Sequence, residues 1–252
     1  RSFFSTSGWS GRGGLAHNPY SLDRNACGSS SGSGAAAAAN FTAVSLGSET
    51  DGSIVCPANV NGVVGLKPTV GLVSRGGVVP ISHTQDTVGP HSRTVGDAAT
   101  VLSFLASRTP DPRDPETSGV PLGWQACDPV CSTSVPLAGK SRPAIPADYT
   151  KFLSPAGLSG ARLGVTRQGV DNAPPQVVAA FDAAIDAIRD AGATIVDLDD
   201  PANDFSFSPG DGEFMVLLYD FKFDVAKYFG TRVGVPVAGG TLQTAIDFND
   251  AH

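Results

Sequence analysis

The pattern of apolar and polar positions predicts helices and strands most clearly beyond residue 90. Thr94 matches a helix N-cap, and Asp97 occupies the capping-box position three residues later. Apolar residues then recur at helical spacing to about Ala106, namely Val95, Ala98, Val101, Leu102 and Leu105. The pattern therefore predicts a helix that packs this stripe against a core.

Residues 161–198 predict a strand, a helix and a second strand in succession. Residues 161–166 are typical of a buried strand, and residues 193–198 are typical of another. Between them, the Pro174-Pro175 pair opens a helix that Gly192 would end as a C-cap. A strand–helix–strand unit implies a parallel strand pair with a right-handed crossover.

Two further segments predict helices of different character. Residues 33–43 are rich in alanine, which has the highest helix propensity and needs little room, so we expect a tightly packed helix. Residues 211–230 predict a helix with an apolar face, formed by Phe214, Leu217, Leu218, Phe221 and Val225. We expect those side chains in the core rather than around a substrate.

Residues 108–150 break this pattern of helices and strands. They are rich in Pro, Asp, Ser and Gly, which favours a long insertion or surface loop. Long loops are often functional, and this one could shape the substrate entrance. Residues 1–26 are also expected to form loop. We divide the chain into a core at residues 1–107, this loop, and an αβ continuation at residues 151–252.

Composition and charge narrow the functional classes. The chain has 252 residues, of which 41% are hydrophobic and 16% charged, as expected for a globular core with a modest polar surface. The net charge of −7 and the pI of about 4.9 argue against nucleic acid and membrane partners. No apolar run approaches the about 20 residues of a membrane span. Because the first residue is not methionine, a cytoplasmic and a secreted location both stay open, as does the oligomeric state.

The cysteines and histidines predict no metal site, and we expect no cofactor. Cys127 and Cys131 either close a small disulfide in a loop or stay reduced. Cys27 and Cys56 could be neighbours in space, and we interpret them as small buried thiols. The histidines lack metal-like spacing and are expected to be surface or packing residues: His17, His83, His91 and His252.

Candidate chemistry is concentrated between residues 27 and 71, where two Ser/Gly-rich turns flank the alanine-rich segment. Glycine permits backbone conformations closed to other residues and lets the backbone approach a ligand closely. In the second turn, residues 48–53, N–H groups can converge as an oxyanion hole requires, and Ser53 can present its hydroxyl. Because serine is a weak nucleophile it needs a neighbouring base, and the first turn, residues 28–34, could supply a proton relay.

This run resembles the amidase signature family. The family core has the form G-G-S-S-G-G-S, then an alanine-rich helix, then G-T-D-x-G-G-S-I-R-x-P-A and G-x-x-G-L-K-P-T. The matching segments are residues 27–33, 47–58 and 62–69. The similarity is specific over residues 1–107, is looser beyond them, and is closest to bacterial peptide amidases and plant amidases. It implies an α/β fold with a single mixed β-sheet covered by helices on both faces, truncated here at both ends.

The resemblance also implies roles for individual residues. Ser53 would be the nucleophile, and Ser29 would shuttle the proton after a cis peptide bond that joins it to Gly28. Ser30 would hydrogen-bond around the shuttle. The oxyanion hole would be lined by the N–H groups of Thr50, Asp51, Gly52 and Ser53.

The sequence departs from the family pattern in several places. The family's general base is a lysine upstream of the first turn, and this chain has no lysine before Lys67. That residue belongs to the G-L-K-P-T segment, so we expect a structural or surface lysine. Val55 replaces the arginine of S-I-R, and Cys27 and Ser31 replace glycines of the first turn. None of these changes removes either candidate serine.

The implied activity is hydrolysis of a carboxamide C–N bond in a small-molecule or peptide substrate, such as a peptide C-terminal amide. It would proceed through a serine acyl-enzyme with a Ser-cisSer-Lys relay, and this chain alone would be inactive. One alternative is a catalytically inactive homologue or fragment that acts as a binding module. Another is an α/β-hydrolase-type esterase that uses Ser30, because residues 28–32 match G-x-S-x-G. That motif follows a strand, whereas we expect residues 18–26 to be turn-like.

Overall fold

The structure is a computed structural model that describes residues 8–117, 125–127, 134–136, 144–200 and 212–251. The chain forms two compact units. The first contains residues 1–150 together with 212–252, and the second contains residues 151–211.

Four short strands occupy the N-terminal segment. Strand β1 (Trp9–Ser10) pairs antiparallel with β2 (Gly14–Leu15), and β3 (His17–Asn18) pairs antiparallel with β4 (Ser21–Asn25). The prediction of loop up to residue 26 is wrong for these strands. Their side chains are mostly exposed, so backbone pairing forms them without the apolar alternation that reveals a half-buried strand.

The alanine-rich helix α1 (Ser31–Ala38) confirms the helix predicted at residues 33–43, although it begins and ends earlier. Asn40, two residues beyond its end, has a φ of 61°, which a right-handed helix cannot contain. Small residues let α1 pack closely on α2 (Val55–Val60): a Cβ added at Gly34 would lie 3.1 Å from both Cβ and the carbonyl oxygen of Pro57.

The first unit contains a three-stranded antiparallel sheet. It contains β5 (Val44–Glu49), β6 (Val64–Gly65) and β7 (Thr87–Ser92), with β7 in the middle. Strand β5 pairs with β7 along its full length, from Val44 opposite Ser92 to Glu49 opposite Thr87. Almost all of β7 is buried, so polar side chains of this strand lie inside the core.

The helix predicted from the capping box is confirmed as α3 (Val95–Leu105). The Thr94 hydroxyl accepts the Asp97 N–H at 3.0 Å and donates to the Asp97 carboxylate at 2.7 Å. Ala98 and Leu102 of the predicted stripe are buried, whereas Val95 at the helix start is exposed. The stripe therefore faces the core from its second turn onward.

The predicted loop at residues 108–150 has an ordered beginning. A short 3₁₀ helix, Pro115–Thr117, ends a segment in which Asp114 and Thr117 are buried. Farther along, β8 (Gln125–Cys127) pairs antiparallel with β9 (Ser134–Pro136). The prediction of a surface loop is therefore wrong for Asp114 and Thr117, which are buried. The side chain of Cys127 and all of Cys131 lie outside the described residues.

The second unit contains the predicted strand–helix–strand. Strand β10 (Arg162–Val165) pairs in parallel with β11 (Thr194–Asp197), and α4 (Pro175–Asp190) connects them. Gly192 follows the helix with a φ of 92°, as a C-cap glycine does. The burial predicted for the first of these strands is wrong: its residues alternate between exposed and half-buried. A two-stranded sheet with one helix buries little of either face.

Two helices, α5 (Gly212–Gly230) and α6 (Leu242–Ala251), end the described chain. Helix α5 confirms the helix predicted at residues 211–230, but most of its apolar face is exposed in this chain. Of the five residues predicted for the core only Val225 is buried, and Phe214 and Leu218 are 44% and 43% exposed. The helix is instead anchored through acidic side chains, described below. The described helices include none with the length and hydropathy needed to span a bilayer.

The predicted α/β class is confirmed, with parallel and antiparallel pairing both present. Within the described residues the strands form five short sheets, four of them two-stranded. The three-stranded sheet is the one that carries the candidate site, because β5 leads directly into the second Ser/Gly turn.

Candidate active site

The first Ser/Gly turn follows β4, runs into the first residues of α1 and contains the candidate shuttle, Ser29. Its peptide bond with Gly28 is cis, as the resemblance implies. The next residue, Ser30, is the N-cap residue of α1. The Ser30 hydroxyl donates to the carbonyl of Ser48 and accepts the N–H of Ser48, both at 3.1 Å. The turn is therefore fixed to the strand that leads into the second turn.

The second turn is folded around the carboxylate of Glu49, which is 4% exposed. One carboxylate oxygen accepts the Gly52 N–H at 3.0 Å, and the other accepts the N–H groups of Ile54 at 2.6 Å and Val55 at 2.9 Å. Gly52 has a φ of 73°, a conformation that glycine adopts without strain. Ser53 lies between these bonded residues, so its backbone is held on both sides.

Two direct links bring the turns together. The N–H of Ser30 donates to the carbonyl of Ser53 at 3.1 Å, so the turns meet beside both candidate serines. Cys27 and Cys56 form a disulfide with their Cα atoms 6.0 Å apart. The interpretation of these two cysteines as thiols is therefore wrong. They lie 29 positions apart in the chain, and only the folding of one turn against the other brings them together.

A buried amide adds a third link. Asn61, at the end of α2, has no exposed surface, and its Nδ2 donates to the carbonyls of Ala26 at 3.0 Å and Pro57 at 2.7 Å. Ala26 directly precedes Cys27, and Pro57 directly follows Cys56. This hydrogen-bonded link therefore runs beside the disulfide and does not depend on it.

The predicted oxyanion-hole residues are engaged in different ways. The N–H of Gly52 already donates to Glu49, so the hypothesis rests on the N–H groups of Thr50, Asp51 and Ser53. The hydroxyl of Thr50 donates to the Asp86 carboxylate, and this side chain therefore holds the turn from within the core. The Asp51 side chain is exposed.

Asp86 is a buried carboxylate that joins the second turn to the segment before β7. Besides the Thr50 hydroxyl, it accepts the N–H groups of Ile81 at 2.8 Å and Ser82 at 3.1 Å. The guanidinium of Arg75 donates to the Asp86 carbonyl at 3.3 Å. The backbone before β7 and the nucleophile turn are thus held by the same carboxylate.

Arg75 extends this network to Asp114. Three donors of Arg75 reach the Asp114 carboxylate: its backbone N–H at 2.8 Å, Nε at 2.9 Å and Nη2 at 2.6 Å. Burial disfavours the charged carboxylate, but the hydrogen bonds from Arg75 outweigh it and hold the pKa of Asp114 below its usual value. The pair is therefore both ionised and buried at neutral pH.

His91 of β7 lies beneath the nucleophile turn and has no exposed surface. Its Nε2 lies 2.9 Å from the carbonyl oxygen of Ile54, and its ring packs so closely on Gly47 that an added Cβ would lie 2.7 Å from Cε1. Burial lowers the pKa of His91, although the bond to Ile54 opposes this shift. A neutral ring that donates from Nε2 fits this site, and the predicted packing role is confirmed.

Glu49, Asn61 and Asp86 are functional candidates that sequence reasoning missed, and it named His91 only as a surface or packing residue. Glu49 carried a usable signal, because an acidic residue three positions before the turn glycine can accept the N–H groups of that turn. The other three carried none, since each has an essential partner far away in the chain: Ala26 for Asn61, Thr50 for Asp86 and Ile54 for His91. Only the folded structure identifies them.

The other predicted surface residues agree with the structure where it describes them. Lys67 and His17 are exposed, and His252 lies outside the described residues. No lysine of the described chain hydrogen-bonds to either Ser/Gly turn. The general base of the predicted relay is therefore not identified in this chain.

The described residues contain one group with side-chain atoms close enough to share a metal ion: His83, Asp220 and Asp224, within 4.8 Å of one another. Hydrogen bonds within the protein explain why these three side chains lie close together. The hydroxyls of Ser82 and Thr84 donate to Asp220, each at 2.6 Å, and the N–H of His83 donates to Asp224 at 2.7 Å. These contacts anchor α5 to the segment before β7, and we assign the group no metal role.

A cavity of about 620 Å³ lies within the first unit, apart from the serine turns. Arg75, Asp86 and Asp114 line one side of it, and Lys227 and Arg232 of α5 line another. None of the predicted catalytic or oxyanion-hole residues lines this cavity. The network that braces the nucleophile turn therefore forms one wall of a separate space.

Comparison with known proteins identifies the family. Residues 2–231 match the Amidase family. A probable amidase of Arabidopsis thaliana is 39% identical over 252 residues, which cover 99% of this chain and 43% of that protein. The crystal structure of the peptide amidase of Stenotrophomonas maltophilia superposes with a TM-score of 0.77 and 41% identity, covering 100% of this chain and 46% of that one. The crystal structure of an amidase family protein of Bacillus anthracis superposes with a TM-score of 0.77 and 35% identity, covering 99% of this chain and 44% of that one.

The chain belongs to the amidase family, and it has the amidase signature fold. The resemblance seen in the sequence is thereby confirmed. The chain spans less than half the length of the relatives that it matches, 43% in the Arabidopsis protein. The activity of the whole protein is therefore taken up as a proposal.

Proposed function

We propose that the protein is a serine amidase that hydrolyses a carboxamide C–N bond through an acyl-enzyme on Ser53. The observation that carries this proposal is the 3.1 Å hydrogen bond from the Ser30 N–H to the Ser53 carbonyl. It holds the turn of Ser29 directly against the turn of Ser53, as a two-serine relay requires.

In the proposed reaction, Ser29 takes the proton of Ser53 while the Ser53 Oγ attacks the amide carbonyl carbon. The oxyanion accepts hydrogen bonds from N–H groups of the second turn, with Thr50, Asp51 and Ser53 as the candidate donors. The relay then returns the proton to the leaving ammonia or amine, and water hydrolyses the acyl-enzyme. The family pattern places the general base on a lysine upstream of the first turn.

Glu49 supports this proposal through its geometry. Its carboxylate fixes the backbone on both sides of Ser53, so the nucleophile needs little reorganisation before attack. A preformed site of this kind lowers the cost of reaching the transition state. The carboxylate itself is buried beneath the turn, and we assign it a positioning role.

The substrate class rests on the relatives. The Stenotrophomonas maltophilia relative is a peptide amidase, and a peptide C-terminal amide is therefore the substrate that we propose first. A fold alone does not fix a substrate, so small carboxamides form the comparison set. Release of ammonia from a C-terminally amidated dipeptide, compared with release from small carboxamides, measures this preference, and the free-acid dipeptide is the control.

The esterase alternative places the nucleophile at Ser30. A strand does precede the G-x-S-x-G motif, since β4 ends at Asn25, and the expectation of a turn-like segment there is wrong. The Ser30 hydroxyl nevertheless both donates to and accepts from the backbone of Ser48. A nucleophilic serine needs a histidine or another base beside its hydroxyl, and the Ser30 hydroxyl contacts backbone groups instead. The geometry therefore favours Ser53 as the nucleophile.

The test is fluorophosphonate labelling of the full-length protein, with the modified peptide mapped by mass spectrometry. We expect the label on Ser53, and a loss of about 100-fold or more in labelling rate in Ser29→Ala. Ser33→Ala is the matched control, because Ser33 belongs to the same turn but its hydroxyl donates to the Leu46 carbonyl of β5, and it should label normally. A label on Ser30 would support the esterase, and no label on either serine would support an inactive homologue that acts as a binding module.

A further inference from the structure

We propose that the Cys27–Cys56 disulfide is a positioning element of the serine relay, and that its reduction slows acylation of Ser53 while the fold persists. The proposal rests on the proposed function. It also makes the protein sensitive to reductants at a defined place, between its two Ser/Gly turns.

The position of the disulfide in the chain is the first argument. Cys27 lies two residues before the candidate shuttle Ser29, and Cys56 lies three residues after the candidate nucleophile Ser53. The covalent bond therefore limits how far the two serines can separate. The hydrogen bond between Ser30 and Ser53 also joins the two turns. Unlike the disulfide, it can open without the cleavage of a covalent bond.

The backbone at Cys27 is the second argument. Its φ of 56° lies in the left-handed region that glycine adopts freely and that other residues rarely enter. The family motif has glycine at this position. Cys27 therefore has a side chain at a position where the backbone conformation favours glycine. That side chain forms the disulfide with Cys56.

The surrounding contacts explain why reduction should not unfold the protein. Asn61 links Ala26 to Pro57 through its buried amide, beside the disulfide. Glu49 keeps its hold on the second turn as well. These hydrogen bonds survive cleavage of the S–S bond, so the turns stay together with more freedom between them.

The reductive step balances with a phosphine as the reductant. Tris(2-carboxyethyl)phosphine donates an electron pair to one sulfur, and the S–S bond breaks. Two thiols form with protons from water, and the water oxygen ends on phosphorus as the phosphine oxide. Cys27 is 9% exposed and Cys56 is half-buried, so we expect the reductant to approach the bond from the side of Cys56.

The experiment compares the oxidised and reduced full-length protein. The rate of fluorophosphonate labelling at Ser53 is measured before treatment with the phosphine, after it, and after reoxidation. Alkylation and peptide mapping report the thiols at residues 27 and 56 in each sample. We expect labelling to slow by about 10-fold or more on reduction, because small misplacements of reacting groups cost this much, and to recover on reoxidation.

Three variants separate the disulfide from other causes. Cys127→Ser combined with Cys131→Ser removes the other two cysteines of this sequence and should keep the full response to the phosphine. Cys27→Gly combined with Cys56→Ser removes the bond and also restores the glycine that the backbone favours. This second pair should be folded by circular dichroism, should label slowly, and should not respond to the phosphine. Cys56→Ser alone should behave in the same way, which excludes an effect of the glycine.

Several results would overturn the proposal. Free thiols at residues 27 and 56 in the untreated protein would show that the bond does not form. Unchanged labelling after verified reduction would remove the positioning role, and global unfolding on reduction would make the bond merely structural. No labelling of Ser53 in the oxidised protein is a different result: it overturns the proposed function and, with it, the role of the disulfide.

Discussion

Two arginine–aspartate pairs, one in each unit, have nearly equal lengths and very different surroundings. Arg75 and Asp114 in the first unit are joined at 2.6 Å, with side chains 10% and 4% exposed. Arg167 and Asp182 in the second unit are joined at 2.7 Å, with side chains 35% and 52% exposed. The comparison shows that an ion-pair distance alone does not measure the energetic importance of the pair, because water screens the exposed charges.

The two pairs also differ in what they connect. Arg75 reaches the Asp86 carbonyl, and Asp86 holds Thr50 in the nucleophile turn, so the buried pair belongs to the support of the candidate site. Arg167 joins the end of β10 to α4 at the surface. The Arg75–Asp114 pair is therefore both buried and connected to the candidate site. The Arg167–Asp182 pair is neither.

The largest expected effect is that of Asp114→Ala. The substitution leaves the Arg75 charge buried without its partner, and we expect the full-length protein to lose about 3–5 kcal/mol of unfolding free energy. Guanidinium unfolding measures the change. A loss no larger than that of Asp182→Ala would remove the distinction between the two pairs.

Glu49→Ala is expected to have the next largest effect. It leaves three N–H groups of the nucleophile turn without their acceptor, and we expect a loss of about 3 kcal/mol together with slower labelling of Ser53. Glu49→Gln keeps an acceptor oxygen of the same reach and should be affected less. If Glu49→Ala labels at the wild-type rate, the carboxylate has no positioning role.

Low pH is expected to have a smaller effect, by weakening the contribution of the Arg75–Asp114 pair to the free energy of unfolding. Because the pKa of Asp114 is lower in the folded than in the unfolded protein, its stabilising contribution is present above the unfolded pKa, near 3.9, and is lost as pH falls through the folded pKa. The difference in stability between wild type and Asp114→Ala should therefore narrow below about pH 4. Unfolding measured between pH 7 and 3 checks this, and a constant difference would contradict it.

The smallest effect is expected for Asp182→Ala in the second unit. The Arg167 side chain keeps Asp171 as a partner at 2.8 Å, and the site is open to water. We expect no measurable change in the midpoint of unfolding and none in the labelling of Ser53. A clear destabilisation would show that the exposed pair is not equivalent to an ordinary surface ion pair.

Local signals predicted the elements whose ends are fixed by neighbouring residues. The Thr94–Asp97 capping box placed α3, and Gly192 placed the end of α4, because each signal acts within one helical turn. The N-terminal strands were missed, since their exposed side chains carry no alternation. The apolar face of α5 was predicted to be buried and is largely exposed in this chain, because helical spacing shows that a face is apolar but not what covers it.

The same limit applies to the candidate site. The two Ser/Gly turns and their serines could be found from the sequence, because each motif is contiguous. The disulfide between Cys27 and Cys56 could not be predicted, since two cysteines 29 positions apart become partners only when their turns meet. His91 was placed correctly as a packing residue, but nothing local shows that it contacts Ile54.

The sequence by itself determined the family, the positions of the two candidate serines and the helices with clear caps. These features depend on residues that are close together in the chain. The tertiary structure decided which groups support the serines: Glu49 under the turn, Asp86 beside it, and a disulfide across it. The hydrogen bonds of Glu49 are local, but its burial depends on the fold. Asp86 and the disulfide pair distant segments, since a buried polar group must find its partner wherever the fold places one.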